Sequence, residues 1–360
     1  MDVSPGGMSL ESPSKGYQFI FRPTVACNLR CRYCYAAGLR DDGVGMSMTV
    51  SEARLAIDWM CRFCSAGGIE RAAVLWHGGE PLLPGIDFLE QVLEYENSAF
   101  SKIGVAFSNQ IQTNLTLVTD AHIDIFKRYF GGTIGFSWDF ASAQRIFADG
   151  RNAAEEVWRK ALMCRDRGVN VGAICQITNE NRERPRDLYR WFADARIPFR
   201  LTPIFPSTLQ ETMQSADAAC AVVDTWLSDR NPAIEIANFR EMIEGLVTGR
   251  THKCCAERNC GRVVLALSPQ GRIYPCSRNH GGCDVVGNFL TDAPEDVYRR
   301  RYDFYADDFA PGCSSCEYVG VCQSGCPFLS RIGWHECECA YNRKIFDHLK
   351  MWLRRTGHVS

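Results

Sequence analysis

Three cysteines near the start of the chain, Cys27, Cys31 and Cys34, are spaced so that their thiols can share one loop. Three thiolates can hold three irons of a cubane 4Fe–4S cluster, which leaves the fourth iron open to a cofactor or substrate. Zinc is the alternative, but a structural zinc site needs a fourth Cys or His, and none lies close by. The spacing therefore predicts an iron–sulfur cluster with one open iron.

A second group of cysteines lies towards the other end, where 11 of the 19 fall between positions 254 and 339. The residues before Tyr17 lack the apolar core of a signal peptide, so we expect a cytoplasmic location. In that reducing compartment, cluster or metal ligation explains many cysteines better than disulfides do. Apolar stretches surround the rest, which we expect to be buried thiols: Cys61, Cys64, Cys164, Cys175 and Cys220.

The composition narrows the class of protein. The chain has 360 residues, 46% of them hydrophobic, which suits one large domain and one small one. The formal net charge of -2 argues against a nucleic-acid partner. No run of about 18 apolar residues is present, so we expect no membrane-spanning segment.

The first two thirds of the chain alternate short β-rich runs with amphipathic helical patterns, which predicts parallel βα units. Six units are too few for a closed eight-stranded barrel, so we expect an α/β fold with a partial (β/α)6 TIM-like barrel. The predicted strands are 17–21, 72–76, 105–113, 133–137, 169–177 and 199–204. Helices are expected at 216–227, 236–247 and 341–354, and a β-hairpin at 263–274.

The first cysteine motif, with the aromatic Tyr33 before its last cysteine and a strand before its first, resembles the signature of the radical S-adenosylmethionine (SAM) superfamily. Three further motifs match that family, each at the end of a predicted strand: 78–80 (GGE), 112–114 (QTN) and 137–139 (SWD). Barrel active sites are built at that end of the strands. The resemblance implies a SAM-binding 4Fe–4S cluster, with the cofactor contacted by Tyr33, Gly78, Gly79, Glu80, Asn114, Ser137, Arg145 and Leu201.

The later cysteines resemble the SPASM domain, the auxiliary-cluster module of radical SAM enzymes that act on peptides. The resemblance implies two further 4Fe–4S clusters, three in all. One would be held by Cys254, Cys260, Cys276 and Cys326, with Cys255 as the alternative to Cys254. The other would be held by Cys313, Cys316, Cys322 and Cys339, with Cys337 as the alternative to Cys339. The domains expected are a lead at 1–16, the barrel at 17–235, the SPASM domain at 236–345 and a helical tail at 346–360.

The family splits SAM into a 5′-deoxyadenosyl radical that abstracts hydrogen from a substrate. The named relatives that the chain resembles are anaerobic sulfatase-maturing enzymes and maturases of ribosomally made peptides. The former carry an Asp proton acceptor where this chain has Ser277, and serine is a poor base at neutral pH. Asp139 and Tyr274 are open candidates for a catalytic acid or base.

These considerations favour a peptide maturase whose auxiliary clusters accept an electron while a residue is oxidised or two side chains are joined. A formylglycine-forming sulfatase maturase and a small-molecule radical SAM dehydrogenase are the alternatives. A non-catalytic electron carrier is the fourth hypothesis. The expected partners are a peptide or protein substrate and an external one-electron reductant, flavodoxin or ferredoxin.

Overall fold

A computed structural model describes residues 16–37, 47–205, 207–229, 234–250, 263–278, 284–304 and 310–357. Cys254, Cys255 and Cys260, for which cluster ligation is predicted, lie outside these ranges, as does nearly all of the expected lead at 1–16. In the part of the chain that is described, no helix is long and apolar enough to cross a membrane.

Six parallel strands form the centre of the molecule, in the order in which they occur along the chain. They are β1 (Gly16–Thr24), β2 (Arg71–Gly78), β3 (Ala106–Thr113), β4 (Thr133–Ser137), β5 (Asn170–Ile177) and β6 (Phe199–Pro203). Strand β6 lies at one edge and does not pair with the other edge, so the barrel is open. This confirms the predicted α/β partial barrel.

A helix follows each of the first five strands and covers one face of the sheet. These helices are α1 (Val50–Ala66), α2 (Ile86–Lys102), α3 (Asp120–Tyr129), α4 (Ala154–Asp166) and α5 (Pro185–Ala195). Along the strands, buried residues alternate with more exposed ones, as in β5, because successive side chains point to opposite faces. Phe19, Val74 and Phe136 belong to the buried, helix-covered face. On each strand, the residues that alternate with them face the barrel interior.

The predicted hairpin does not stand apart from the barrel. Strand β7 (Val264–Leu267) pairs parallel with β1, and β8 (Arg272–Tyr274) and β9 (Gly287–Asn288) follow it antiparallel. The sheet therefore has nine strands, in the order β6-β5-β4-β3-β2-β1-β7-β8-β9. Ile20, Val264, Ala266 and Tyr274 form a second apolar cluster on the interior face.

The other helices lie around this sheet and at its open side. They are α6 (Leu209–Ser228), α7 (Ala237–Thr248), α8 (Pro294–Phe304), α9 (Val319–Cys322), α10 (Pro327–Arg331) and α11 (His335–Arg355). Helix α11 packs along α6 and begins six residues before the predicted start at 341. The expected boundary at 345/346 falls inside this one helix, so residues on both sides of it belong to the same element.

Candidate active site and cluster sites

The loop after β1 carries Cys27, Cys31 and Cys34, all partly buried at the end of the barrel where the parallel strands finish. The Cys27 sulfur accepts from the backbone N–H of Leu29 (3.4 Å) and from Asn114 Nδ2 (3.8 Å). Arg145 Nη1 lies 3.9 Å from the Cys31 sulfur. N–H donors of this kind stabilise thiolates that ligate iron, so the residues present fit a cluster.

The same loop does not have the geometry of a mononuclear site. Among the described residues, no three His, Cys, Asp or Glu side chains converge closely enough to hold a single metal ion. Tetrahedral zinc requires such convergence, whereas the thiolates of a four-iron cluster are held farther apart. Burial raises the pKa of the Cys27 thiol to about 11, and ligation to iron would remove that proton.

Gly78 and Gly79 allow the end of β2 to approach the start of the cysteine loop. A Cβ on Gly78, whose φ is +126°, would lie 2.2 Å from the Thr24 carbonyl oxygen. A Cβ on Gly79 would lie 1.9 Å from the Ala26 carbonyl oxygen. The family resemblance attributes these glycines to close approach of the cofactor. In the structure they are required, independently of any ligand, for two backbone segments to pack together.

Glu80 is fully buried and links the ends of two strands. Its carboxylate accepts hydrogen bonds from Leu82 N (3.1 Å), Thr113 Oγ1 (2.7 Å) and Asn114 N (2.7 Å). Burial raises the pKa of Glu80 to about 7 even though these three donors act to lower it. The side chain therefore fixes the position of Asn114 at the end of β3.

Asn114 in turn orients the cysteine loop. Its Oδ1 accepts from the backbone and hydroxyl of Thr116 (3.0 and 2.7 Å), and its Nδ2 donates to Asn28 Oδ1 (2.9 Å). Only 7% of the residue is exposed. Asn114 therefore connects Glu80 to the Cys27 sulfur by hydrogen bonds and does not project into the open interior of the barrel.

The partly buried Tyr33 and the buried Asp139 and Arg145 form one group beside Cys31. The Asp139 carboxylate accepts from the Tyr33 hydroxyl, from Arg145 Nε (2.9 Å) and from Gln176 N (2.8 Å). The Arg145 guanidinium lies 5.4 Å from the centre of the Tyr33 ring. Asp139 is thus occupied by three donors, which makes it a poor candidate for the catalytic base.

Ser137 and Leu201 point to opposite faces of the sheet. Ser137 Oγ accepts from Gln112 Nε2 (2.9 Å) on the interior face. Leu201 is 1% exposed and packs in the helix-covered core, level with Cys175 on β5. Its backbone is held on both sides by Asn238 (2.9 and 3.0 Å). The Leu201 side chain is therefore not where an adenine in the interior would meet it, because that face of β6 carries Thr202.

Sequence reasoning missed Arg22, which lies on the interior face of β1 and is 1% exposed. It donates to Ser268 Oγ (3.2 Å) and to the Ser277 carbonyl oxygen, and its guanidinium lies 5.4 Å from the Tyr274 ring centre. The segment that carries Cys276 and Ser277 is thereby tied to the strand that leads into the first cysteine loop. A lone arginine in an apolar strand gave no signal of this contact.

His77 lies on the neighbouring strand, on the same interior face. Burial, with a contribution from the Arg22 charge, lowers the pKa of His77 to about 4, so the ring is neutral at pH 7. Its Nδ1 accepts from the Gly78 backbone N–H (2.7 Å), which leaves the proton on Nε2. His77 is therefore a hydrogen-bond donor in this part of the barrel, and not a base.

A cavity on the C-terminal side is lined by four of the predicted cluster cysteines, Cys313, Cys316, Cys322 and Cys339. They come from the turns before α9, from α9 itself and from the start of α11. His335, Glu338 and Arg343 of α11 line the same cavity. Four thiols around one cavity fit a four-iron cluster, and no residue outside the described ranges is needed to complete the set.

Cys337 and Cys339 both lie in the first turns of α11 but on opposite sides of it. Two residues apart in a helix correspond to a rotation of about 200°. Cys339 accordingly faces the cavity, whereas the Cys337 thiol is directed to the carbonyl oxygen of Ser207 (3.5 Å). The geometry supports Cys339 as the candidate ligand.

Of the other predicted ligand set, only Cys276 and Cys326 fall within the described residues. The Cys326 sulfur lies 3.7 Å from Arg278 Nη1, and its backbone N–H donates to the buried Glu338 carboxylate (2.8 Å). Glu338 therefore stands between Cys326 and the cavity that Cys339 lines.

Residues 21–192 match the Radical SAM superfamily. The chain is 26% identical to the serine-type anaerobic sulfatase-maturating enzyme of Klebsiella aerogenes, over 91% of this chain and 84% of that one. It is 21% identical to the cysteine-type enzyme of Clostridium perfringens (strain 13 / Type A), over 83% and 85% of the two chains.

Two solved structures share the fold. Native anSMEcpe with bound AdoMet superposes with a TM-score of 0.81 at 17% identity, covering 95% of this chain and all (100%) of that one. Streptococcus suis SuiB superposes with a TM-score of 0.60 at 16% identity, covering 89% and 75%. Both matches extend beyond the barrel into the cysteine-rich C-terminal region.

An open parallel barrel whose first loop presents three thiols at the strand ends defines a class of iron–sulfur enzymes. Residues 21–192 form a radical SAM domain, and the chain is homologous to the anaerobic sulfatase-maturating enzymes over most of its length. It is therefore a radical SAM enzyme, and this domain implies a 4Fe–4S cluster and SAM as its cofactors.

Proposed function

We propose that this enzyme oxidatively modifies a residue of a ribosomally made peptide, joining side chains or otherwise removing hydrogen. The observation that carries the proposal is the hydrogen bond that Arg22 donates to the Ser277 carbonyl oxygen. Through it, the segment after Cys276 faces the same barrel interior as the loop of Cys27, Cys31 and Cys34. A peptide entering the open side of the barrel would lie between these two segments.

When bound, SAM and its cluster would supply a 5′-deoxyadenosyl radical. The protein would hold the cluster with Cys27, Cys31 and Cys34, and the loop would be fixed by Asn114 and Arg145. Gly78, Gly79, Glu80, Ser137 and Tyr33 belong to the predicted cofactor site. Of these, Glu80 and Tyr33 do not contact SAM in our proposal. Glu80 holds Asn114 in position, and Tyr33 holds Asp139. Gln112 and His77, on the interior face of the barrel, would orient the substrate.

Two auxiliary clusters complete the proposal. One would be held by Cys313, Cys316, Cys322 and Cys339, which line one cavity. The other would be held by Cys254, Cys260, Cys276 and Cys326, of which the first two lie outside the described residues. Redox centres at this side of the barrel would suit a net two-electron oxidation, with flavodoxin or ferredoxin as the external reductant.

A peptide substrate is supported by complexes of two proteins that share the fold. anSMEcpe has been solved with AdoMet and the Cp18Cys peptide, and SuiB with its precursor peptide SuiA. Both proteins therefore bind a peptide. We infer the same class of substrate for this chain.

The second candidate function is formation of formylglycine in a sulfatase, which the sequence relatives support as well. The residue after Cys276 argues against formylglycine formation, because the resemblance implies a carboxylate where this chain has Ser277. Asp139 does not replace that carboxylate, since three donors already occupy it. His77 is a donor in its neutral form and is not a substitute base.

The test is to incubate the anaerobically reconstituted, dithionite-reduced enzyme with SAM and two kinds of peptide. One is a sulfatase-derived peptide with a Cys or Ser target, and the other is a candidate precursor chosen from the short open reading frames next to the gene. We expect loss of two hydrogens from the precursor, without an aldehyde detectable by hydrazide labelling. An aldehyde on the sulfatase peptide, with the precursor unchanged, would replace our proposal by the second candidate.

A further inference from the structure

His335 begins helix α11 and lines the cavity of Cys313, Cys316, Cys322 and Cys339. Its Nε2 lies 3.5 Å from the Cys313 sulfur, within the range of a hydrogen bond to sulfur. The other ring nitrogen, Nδ1, is buried and has no hydrogen-bond partner among the described residues. The sulfur is therefore the polar partner that the structure gives this imidazole.

The direction of this hydrogen bond follows from the chemistry of a ligating cysteine. A thiolate bound to iron has no proton and can only accept, so the proton must lie on Nε2. The neutral tautomer that places it there leaves Nδ1 as an acceptor, for which the described residues offer no donor within hydrogen-bond distance. His335 would thus donate to Cys313 and not compete with it for iron.

Helix α11 brings the donor and one thiol to the same cavity. His335 and Cys339 are four residues apart and lie on one face of the helix, one turn above the other. The turn that carries Cys313 faces them from the preceding segment. One helix therefore sets both the position of the ligand Cys339 and the position of the donor His335, one turn away on the same face.

Hydrogen bonds to the sulfurs of an iron–sulfur cluster are one of the determinants of its reduction potential. Reduction adds negative charge that is shared with the thiolates, so a donor stabilises the reduced state more than the oxidised state. A donor aimed at a ligand sulfur is accordingly expected to raise the potential, which suits a centre that accepts electrons.

We propose that His335 is a positioning residue that raises the reduction potential of the cluster in this cavity by donating to Cys313. This inference rests on the proposed function only in that the four cysteines are taken to hold a 4Fe–4S cluster.

The experiment compares the wild-type holoenzyme with His335→Leu, which has no donor, and His335→Gln, which keeps one. His348→Gln is the matched control, because His348 is a surface imidazole of the same helix that pairs with Asp224 (2.7 Å). Midpoint potentials are measured by redox titration followed by electron paramagnetic resonance. We expect His335→Leu to shift the one-electron equilibrium about tenfold towards the oxidised cluster, or about 59 mV. His335→Gln should recover most of the shift, and His348→Gln should cause none.

Pulsed spectroscopy of the wild-type enzyme grown with 15N-histidine gives a second measurement, which needs no variant to fold. Weak nitrogen coupling to the reduced cluster is expected. Strong coupling typical of a nitrogen bound to iron would overturn the proposal, as would an unchanged midpoint in a fully loaded His335→Leu enzyme. Iron analysis of Cys313→Ala separates these outcomes from failure of the cluster assignment, because full iron in that variant would mean that no cluster is held here.

Discussion

The polar residues around the first cysteine loop are already engaged with one another. Glu80 accepts three hydrogen bonds, Asn114 is shared between Asn28 and Cys27, and Asp139 accepts from three donors. Buried polar groups that are satisfied in this way stabilise one geometry and are not available for proton transfer. We infer that their contribution is to hold the loop in position for iron.

At the residue scale, Gly79→Ala should disrupt the first cluster site. The new Cβ would lie 1.9 Å from the Ala26 carbonyl oxygen, so the loop has to move away from β2. We expect loss of about four irons per chain and of SAM cleavage, measured by iron analysis and by 5′-deoxyadenosine formation. Gly172→Ala is the matched control, because its Cβ would meet nothing closer than the Pro198 carbonyl oxygen at 3.9 Å. Normal iron content in Gly79→Ala would refute the packing role.

Glu96 should make the stability of the protein fall as the pH rises. It is fully buried in α2, and burial raises its pKa from 4.5 to about 8. Between these values the folded chain keeps a proton that the unfolded chain has lost, so the free energy of unfolding decreases from pH 4.5 up to about pH 8.

Glu96→Gln should remove that part of the pH dependence, on the order of a few kcal/mol. The measurement is the thermal midpoint of the holoenzyme at pH 6 and pH 8, where the wild type should lose more than Glu96→Gln. Glu94→Gln, a change of an exposed carboxylate on the same helix, serves as the control. Equal losses in the wild type and Glu96→Gln would contradict the assignment.

How far single residues could be predicted depended on whether their partners are near in sequence. The thiols of Cys27, Cys31 and Cys34 share one loop, so their spacing alone carried the signal. Arg22 meets Ser277 across 255 positions, and His335 meets Cys313 across 22. Neither contact has a local pattern, because it exists only after strands and helices have packed.

At the scale of elements, the periodicity of the sequence was sufficient for the six strands and the helices between them. It was not sufficient for α8, which was not predicted, or for the start of α11. The first two turns of α11 contain Glu336, Glu338 and two cysteines in place of an apolar stripe, since its inner face lines a cavity. Leu201 illustrates the same limit. Its strand was predicted correctly, but the sequence did not show that the Leu201 side chain lies on the helix-covered face.

Helix α11 provides a prediction at this scale. Cys339→Ala should remove the cluster of the C-terminal cavity and lower the iron content by about four per chain. Cys337→Ala should leave the iron content unchanged, because the helix turns that thiol towards Ser207. Iron and sulfide analysis of both reconstituted variants is the measurement. The opposite result, with loss in Cys337→Ala only, would mean that α11 is rotated relative to the cavity.

For the whole molecule, the main feature is the continuity of the sheet from the barrel into the hairpin. Strand β7 pairs with β1 and β8 pairs with β7, so the strand before Cys276 and the strand before the first cysteine loop belong to one sheet, with β7 between them. Sequence patterns predicted a barrel at 17–235 and a separate domain at 236–345, since pairing across more than 200 residues leaves no local trace. We propose that the two parts act as one catalytic unit across this shared sheet.

The central claim is that three thiolates at the end of the barrel hold the cluster that cleaves SAM. It is tested most directly by 5′-deoxyadenosine formation in the variant with Cys27, Cys31 and Cys34 all changed to Ala, reconstituted and reduced beside the wild type. We predict no 5′-deoxyadenosine and about eight irons retained per chain, the content of two auxiliary clusters. Continued formation of 5′-deoxyadenosine by this variant would contradict the account.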